Sequence, residues 1–338
     1  MALEDYRIDS FSELYTRVED PLTGWKADIS IGHGTLGKGA FKQIRGYGYV
    51  ATLRDRRRIL LGSAGIPVIA SARRDNPDIS HFITSDAIKT EDQWLEEIEY
   101  YLDNERVILR KLGNTAQRDS LILESMPFAH SLGDAFAIIA FTPDTILPPA
   151  VKRFKMLEYL VKSTLLLEKI HRMGYTHGDA GAWHLDNFLL SAQTDQYAMI
   201  DLSHVQIQGL FHQESEMIQY SRMVLDYAKS FDPERKLHIL PQEIYDALAE
   251  GRIPNLNSKT LALYGKSALR TVMGNYSSVT QALQDMNQSY FQAYLYHQVH
   301  SQTNESLKKS TLRAIIRGIE NQTIENPTIE LPAIPRMG

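Results

Sequence analysis

Residues 151–173, VKRFKMLEYLVKSTLLLEKIHRM, form one long helical pattern that stops at Gly174 and runs straight into the loop HGDAGAWHLDNFLL. Apolar residues recur three and four apart along this segment, and a glycine just past the last turn is a common helix stop. Behind the loop, YAMIDLSHV reads as a short strand that carries Asp201 near its end. A long helix, a polar loop holding His177, Asp179 and Asn187, and a strand with a carboxylate thus follow one another directly. This order constrains the chain more than its composition does.

Upstream of the helix the pattern changes. Residues 25 to about 85 are rich in Gly, Val and Ile in short runs, which predicts strands and tight turns, with IPVIASA (66–72) as the clearest strand. EDQWLEEIEYYLDNERVILRKL (91–112) predicts a helix capped by Gly113. SLILESMPF and AFAIIAFTP predict two further strands, and Pro143, Pro148 and Pro149 mark a boundary. Beyond about residue 212 the pattern is helical, as in QEIYDALAEG and STLRAIIRGIE. A chain of 338 residues suits two lobes better than one core. The expected fold class is α+β. Residues 1–24 are expected as an N-terminal helical extension, 25–146 as a small, mostly antiparallel β lobe with one helix, 147–325 as a larger helical lobe carrying the loop, and 326–338 as a Pro-rich tail.

Composition removes several chemistries. There is no cysteine, so disulfides, thiolate metal sites and cysteine nucleophiles are excluded. A net charge of −5 gives no global basic field, and nucleic acid is not expected as a partner. The local run RDRRR (54–58) reads as a solvated basic face, or alternatively as a phosphate-binding patch. No window of eighteen apolar residues occurs, so no membrane span is expected. The first fifteen residues are acidic and lack an apolar core, which predicts no secretory signal and a cytoplasmic setting.

Four stretches together resemble the protein-kinase-like superfamily, over roughly residues 29 to 205. LVKSTLLLEKIHRMGYTHGD resembles the helix and catalytic loop of that family. AMIDLS (198–203) resembles its metal-binding strand and Asp-Phe-Gly segment, with Leu202 and Ser203 replacing Phe and Gly. NERVILRKLG (104–113) resembles the helix whose Glu pairs with a strand lysine, with Glu105 as the match and Glu96, Glu97 and Glu99 as competitors. GHGTLGKGAFK (32–42) fits G-x-G-x-x-G through Gly32, Gly34 and Gly37; glycines there let backbone approach phosphates without side chains in the way.

The resemblance implies an atypical or small-molecule-kinase-like branch with an expanded catalytic loop. The family pattern H-R-D-x-x-x-x-N sets Asn five residues after Asp. Here Asn187 stands eight residues after Asp179, so three extra residues, Gly181-Ala182-Trp183, are read as an insertion, with Trp183 packing locally or capping an acceptor pocket. His184 occupies the place that Asn would hold without the insertion and competes with Asn187 as a metal ligand. Gly178 replaces the Arg of the family motif, and no Ala-Pro-Glu follows Asp201. No V-A-I-K lysine is visible either. Arg54 ranks first as its replacement, then Arg73, then Lys42.

The resemblance implies ATP and Mg²⁺ or Mn²⁺ as cofactors. Phosphoryl transfer rests on positioning and charge neutralisation, with hard oxygen ligands for the metal. Asn187 and Asp201 are the expected metal ligands, and Asp179 the carboxylate that accepts the proton of an acceptor hydroxyl. Gly32, Gly34, Gly37, Arg54 and Glu105 would hold the nucleotide. The implied partners are a nucleotide and either a hydroxyl acceptor or a partner protein. Two other readings remain open: a pseudokinase scaffold that regulates a partner, and a kinase fold used for nucleotidyl transfer.

Overall fold

The computed structural model describes residues 18–20, 25–38, 42–52, 58–73, 81–102, 107–114, 120–180, 185–207, 210–231, 257–274 and 278–302, with Arg56 and Asp246. The fold is mixed α+β, with an antiparallel sheet and several helices. The expected N-terminal helix lies mostly outside the described residues, but its end does not continue it: Val18–Asp20 is a strand, β1, paired antiparallel with β2.

The sheet begins as a long hairpin. β2 (Trp25–Lys38) returns as β3 (Lys42–Thr52), with a bulge between Thr35 and Gly37. The opposite edge of β3 is filled in succession by β4 (Arg58–Ser63) on residues 48–52 and β5 (Val68–Ala72) on residues 42–45. Glycine makes this crowding possible: a Cβ on Gly48 would lie 2.6 Å from Leu60 Cδ1 and 2.8 Å from the Gly62 carbonyl oxygen. β7 (Ser120–Leu123) and β6 (Lys111–Asn114) complete the sheet beyond β5.

α1 (His81–Leu102) lies across this sheet. It starts ten residues earlier and ends ten residues earlier than the 91–112 pattern predicts, and Gly113 sits in β6 instead of capping a helix. Ile88, Leu95 and Ile98 are buried at helical spacing, and Glu91 falls in the same stripe.

After β7 the chain passes through Glu124–Phe128 into β8 (Ala129–Ser131) and α2 (Leu132–Phe141). AFAIIAFTP is therefore mostly helix, not strand. An uninterrupted apolar run cannot be assigned by periodicity alone. What decides it is a capping box: the Ser131 side chain accepts from the Asp134 N–H and the Asp134 side chain from the Ser131 N–H.

α3 (Pro149–Arg172) is the centre of the helical half, with Phe154, Leu157, Leu160, Leu166, Leu167 and Ile170 all buried. β9 (Tyr175–Thr176), a short 3-10 turn (Leu185–Asn187), β10 (Phe188–Ser191), β11 (Tyr197–Met199), a second 3-10 turn (Leu202–His204) and β12 (Gln206–Ile207) follow. β10 pairs with both β11 and β8, and β9 with β12. α4 (Leu210–Phe231), α5 (Ser258–Met273) and α6 (Val279–Gln302) are packed against this assembly. Of the predicted later helices, STLRAIIRGIE lies outside the described residues, as does QEIYDALAEG apart from Asp246.

One face of α6 reaches three other elements. Asn287 accepts from buried Lys155 on α3, the Tyr290 hydroxyl lies 2.7 Å from His130 Nε2, and the Tyr294 hydroxyl donates to the Leu61 carbonyl on β4 at 2.8 Å. Phe291 meets Phe128 edge-on at 4.8 Å between ring centres. Lys155 tolerates burial because Glu158 accepts from it at 2.7 Å and Lys162 also binds that carboxylate. No helix among the described residues is long and apolar enough to cross a membrane.

Candidate active site

A two-strand hairpin brings Asn187 and Asp201 together. In the β10–β11 register Phe188 faces Met199, so the residues just outside, Asn187 and Ile200, close the ladder, and the Ile200 N–H donates to the Asn187 carbonyl at 2.9 Å. Asp201 is the next residue. It holds a left-handed conformation, φ 62°, which costs a non-glycine residue about 1 kcal/mol. Ser203 Oγ donates to Asp201 Oδ1 at 3.0 Å. Buried Asn187 turns its amide nitrogen to Asp179, donating to the Asp179 carbonyl at 3.1 Å and to Oδ2 at 3.2 Å.

The backbone that carries Asp179 is fixed from below. His177 is fully buried, and its Nε2–H donates to the Ile200 carbonyl at 2.9 Å. Burial pushes its pKa down, although the Glu216 carboxylate nearby opposes this. Gly178 has φ +80°, and a Cβ there would stand 2.3 Å from the His204 carbonyl oxygen. No side chain can occupy this position without moving that segment. Glu216 of α4 accepts from the His177 N–H at 3.1 Å, the Gly178 N–H at 2.7 Å and His171 Nε2 at 2.8 Å. Burial alone would raise the Glu216 pKa, but the hydrogen bonds it accepts, that of His171 foremost, outweigh it and lower it.

Above this loop, Lys42 stands between two carboxylates. Its Nζ is 2.7 Å from both Glu91 oxygens and 3.5 Å from Asp201 Oδ1. Burial acts to lower the Lys42 pKa, and the Glu91 and Asp201 charges more than compensate and raise it. For Asp201 burial acts upward, and the Lys42 charge with the Ser203 hydrogen bond brings the pKa below the ordinary carboxylate value. One ammonium therefore links the sheet, α1 and the segment after β11 that carries Asp201.

Of the residues expected from sequence, Asp179, Asn187 and Asp201 are brought together. Gly32, Gly34 and Gly37 lie on β2. Gly34 has open space where a Cβ would be, and Gly37 meets only Ile44 there, at 3.9 Å, whereas at Gly32 an Arg58 nitrogen would lie within 2.6 Å. Gly34 and Gly37 thus offer bare backbone, while Gly32 is a packing position opposite Gly48. Arg54, Glu105, His184 and the insertion Gly181-Ala182-Trp183 fall outside the described residues. The ion pair described beside Asp201 joins Lys42, ranked third after Arg54 and Arg73, to Glu91, which was not among the glutamates named. Lys42 is the ladder partner of Ala72, so its ammonium comes from the strand next to VIASAR.

Glu91 and Glu216 were not singled out by the sequence reading. Glu91 was legible in principle, as the one charge in the stripe Ile88–Leu95–Ile98 once the helix is begun at His81. Nothing in the α4 sequence marks Glu216.

Among the described residues no cluster of three or more His, Asp or Glu gathers as a ready metal cage. The oxygens that remain suit a hard cation shared with a ligand. The bonds above use the Asn187 nitrogen and one Asp201 oxygen, and they leave the Asn187 amide oxygen and the second Asp201 oxygen. No protein-family model matches the chain, and no curated protein matches it.

Proposed function

We propose that the chain is an ATP-dependent, metal-assisted phosphotransferase that moves the γ-phosphate to a hydroxyl of a small molecule or protein. The observation that carries this reading is the Lys42 ammonium, held by Glu91 and facing Asp201, above a loop in which Asn187 grips Asp179. Such a reaction needs little covalent help from the protein; it needs phosphates positioned, charge neutralised and an acceptor proton received.

Each residue has a part in this reading. Glu91 fixes the Lys42 ammonium where it meets phosphate oxygens as a point charge. Asn187 and Asp201 would hold Mg²⁺ or Mn²⁺ by oxygen. Bound Mg-ATP supplies the phosphoryl group and the cation that neutralises its charge. The Asn187 amide orients the Asp179 carboxylate, which receives the proton of the acceptor hydroxyl. Gly34 and Gly37 give backbone that a phosphate can approach. Gly178 leaves no room for the Arg that docks a phosphorylated loop in the family resembled, which favours a site that needs no such switch. The scaffold reading drew on the lack of a strand lysine, and Lys42 weakens that ground.

The test is transfer itself. The native chain is incubated with ATP, Mg²⁺ and panels of sugar, amino-alcohol and protein acceptors, and products are weighed by mass spectrometry. A phosphoryl mass gain that disappears in Asp179→Asn supports the proposal. A nucleotidyl gain replaces it with the nucleotidyl-transfer reading, and no gain with any acceptor counts for the scaffold.

A further inference from the structure

Glu216 anchors the loop, but its own orientation depends on His171, and His171 is constrained in turn. A carboxylate only accepts, so the 2.8 Å contact between His171 Nε2 and Glu216 Oε2 requires the proton on Nε2. In the singly protonated ring Nδ1 then presents a lone pair inside the protein. Ser258 Oγ lies 3.4 Å from Nδ1, and both residues are buried. From this geometry we infer that Ser258 is a positioning residue for the loop bearing Asp179, acting through His171 and Glu216.

Ser258 is the first residue of α5, and its place is set independently of the loop. Asn257 caps the helix by accepting from the Thr260 N–H at 2.9 Å, and α5 packs along α3. His171, in the last turn of α3, is held by its backbone as well, since Gln213 Nε2 donates to its carbonyl at 2.7 Å. A continuous chain therefore runs from the α5 N-terminus through the imidazole and Glu216 to the N–H groups of His177 and Gly178. Removing the Ser258 hydroxyl leaves the buried Nδ1 without a donor and takes away the second point that fixes the ring. The imidazole is then free to shift, and Glu216 loses the fixed position of its third donor.

The catalytic consequence rests on the phosphotransferase reading; the structural relay does not. Two measurements separate them. In the native protein, long-range proton–nitrogen NMR is expected to find His171 with its proton on Nε2; a proton on Nδ1 alone overturns the inference without any variant. In Ser258→Ala, amide hydrogen exchange at Gly178 should quicken at least tenfold beyond any change at slow core amides such as those of α3, and Ser258→Thr should restore it. Equal acceleration at Gly178 and in α3 would mean simple destabilisation and would sink the relay. With transfer established, Ser258→Ala is expected to lower kcat several-fold at unchanged nucleotide KM; an unchanged kcat removes the catalytic role. If NMR and exchange behave as expected and no phosphoryl transfer occurs, the relay stands and the phosphotransferase reading fails.

Discussion

Lys42 and Glu91, forty-nine residues apart in sequence, meet with the lysine nitrogen 2.7 Å from both carboxylate oxygens. The Glu91 side chain is 4% exposed and that of Lys42 12%, so both are largely withdrawn from water. Removing one partner strands a charge, at a cost of about 3 kcal/mol or more, whereas removing both leaves an apolar gap. Lys42→Met is expected to lower stability by about that amount in urea unfolding. Lys42→Met with Glu91→Leu should recover most of the loss while still binding Mg-ATP at least tenfold more weakly than the native chain.

Gly178→Ala should be far more harmful than an ordinary glycine substitution. The left-handed backbone alone costs about 1–2 kcal/mol, and the His204 carbonyl in the way adds to it. Loss of at least about 2 kcal/mol of stability, with loss of any transfer activity, is expected; a chain of native stability would show that the loop adapts.

Acid should weaken the fold in two stages. His130 is buried, and burial with the nearby Lys155 charge takes its pKa from 6.5 to about 4. A histidine whose folded pKa is lowered is protonated first in the unfolded chain, so stability falls as pH drops from about 6.5 towards 4. The shift corresponds to about 3 kcal/mol across that window. Asp201 and Glu216 have lowered folded values, so their contribution is present above the ordinary carboxylate range and disappears as pH falls through their folded pKa. Urea unfolding at a series of pH values should show both ramps, and His130→Asn should shrink the upper one to the part that buried His177 contributes.

Tyr294→Phe keeps the ring against Phe128 and deletes only the bond to the Leu61 carbonyl. A buried carbonyl left without its donor costs about 1–2 kcal/mol. Thermal unfolding should register that loss, and hydrogen exchange should place the loosening in β4. An unaffected β4 would mean that α6 does not brace the sheet.

The helical half was more legible in the sequence than the sheet side of the site. α3 declares itself by period and by Gly174, and β10, β11 and Asp201 follow at fixed local spacing, so Asp179, Asn187 and Asp201 could be named together. The lysine could be named only as the third candidate, after Arg54 and Arg73, because its place depends on strand pairing. Lys42 reaches Asp201 only because β3 lies beside β5, and single-sequence patterns carry no register between strands. The α1 boundaries slipped because 104–112 is also apolar and charged at helical spacing, which drew attention to Glu105, whereas the described glutamate that binds Lys42 is Glu91. Glu216 is one glutamate on an amphipathic helix, distinguished only by the backbone N–H groups it meets. In α2, the Ser131–Asp134 box was readable and outweighs the strand-like run behind it.

The most direct test is calorimetric titration of Mg-ATP into the native chain, Lys42→Ala and Asp201→Ala. The phosphotransferase account predicts binding by the native protein, at least tenfold weaker binding by Lys42→Ala, and Mg²⁺-dependence that vanishes in Asp201→Ala. A folded native chain that takes up no nucleotide with Mg²⁺ or Mn²⁺, or one whose binding ignores both substitutions, would contradict it.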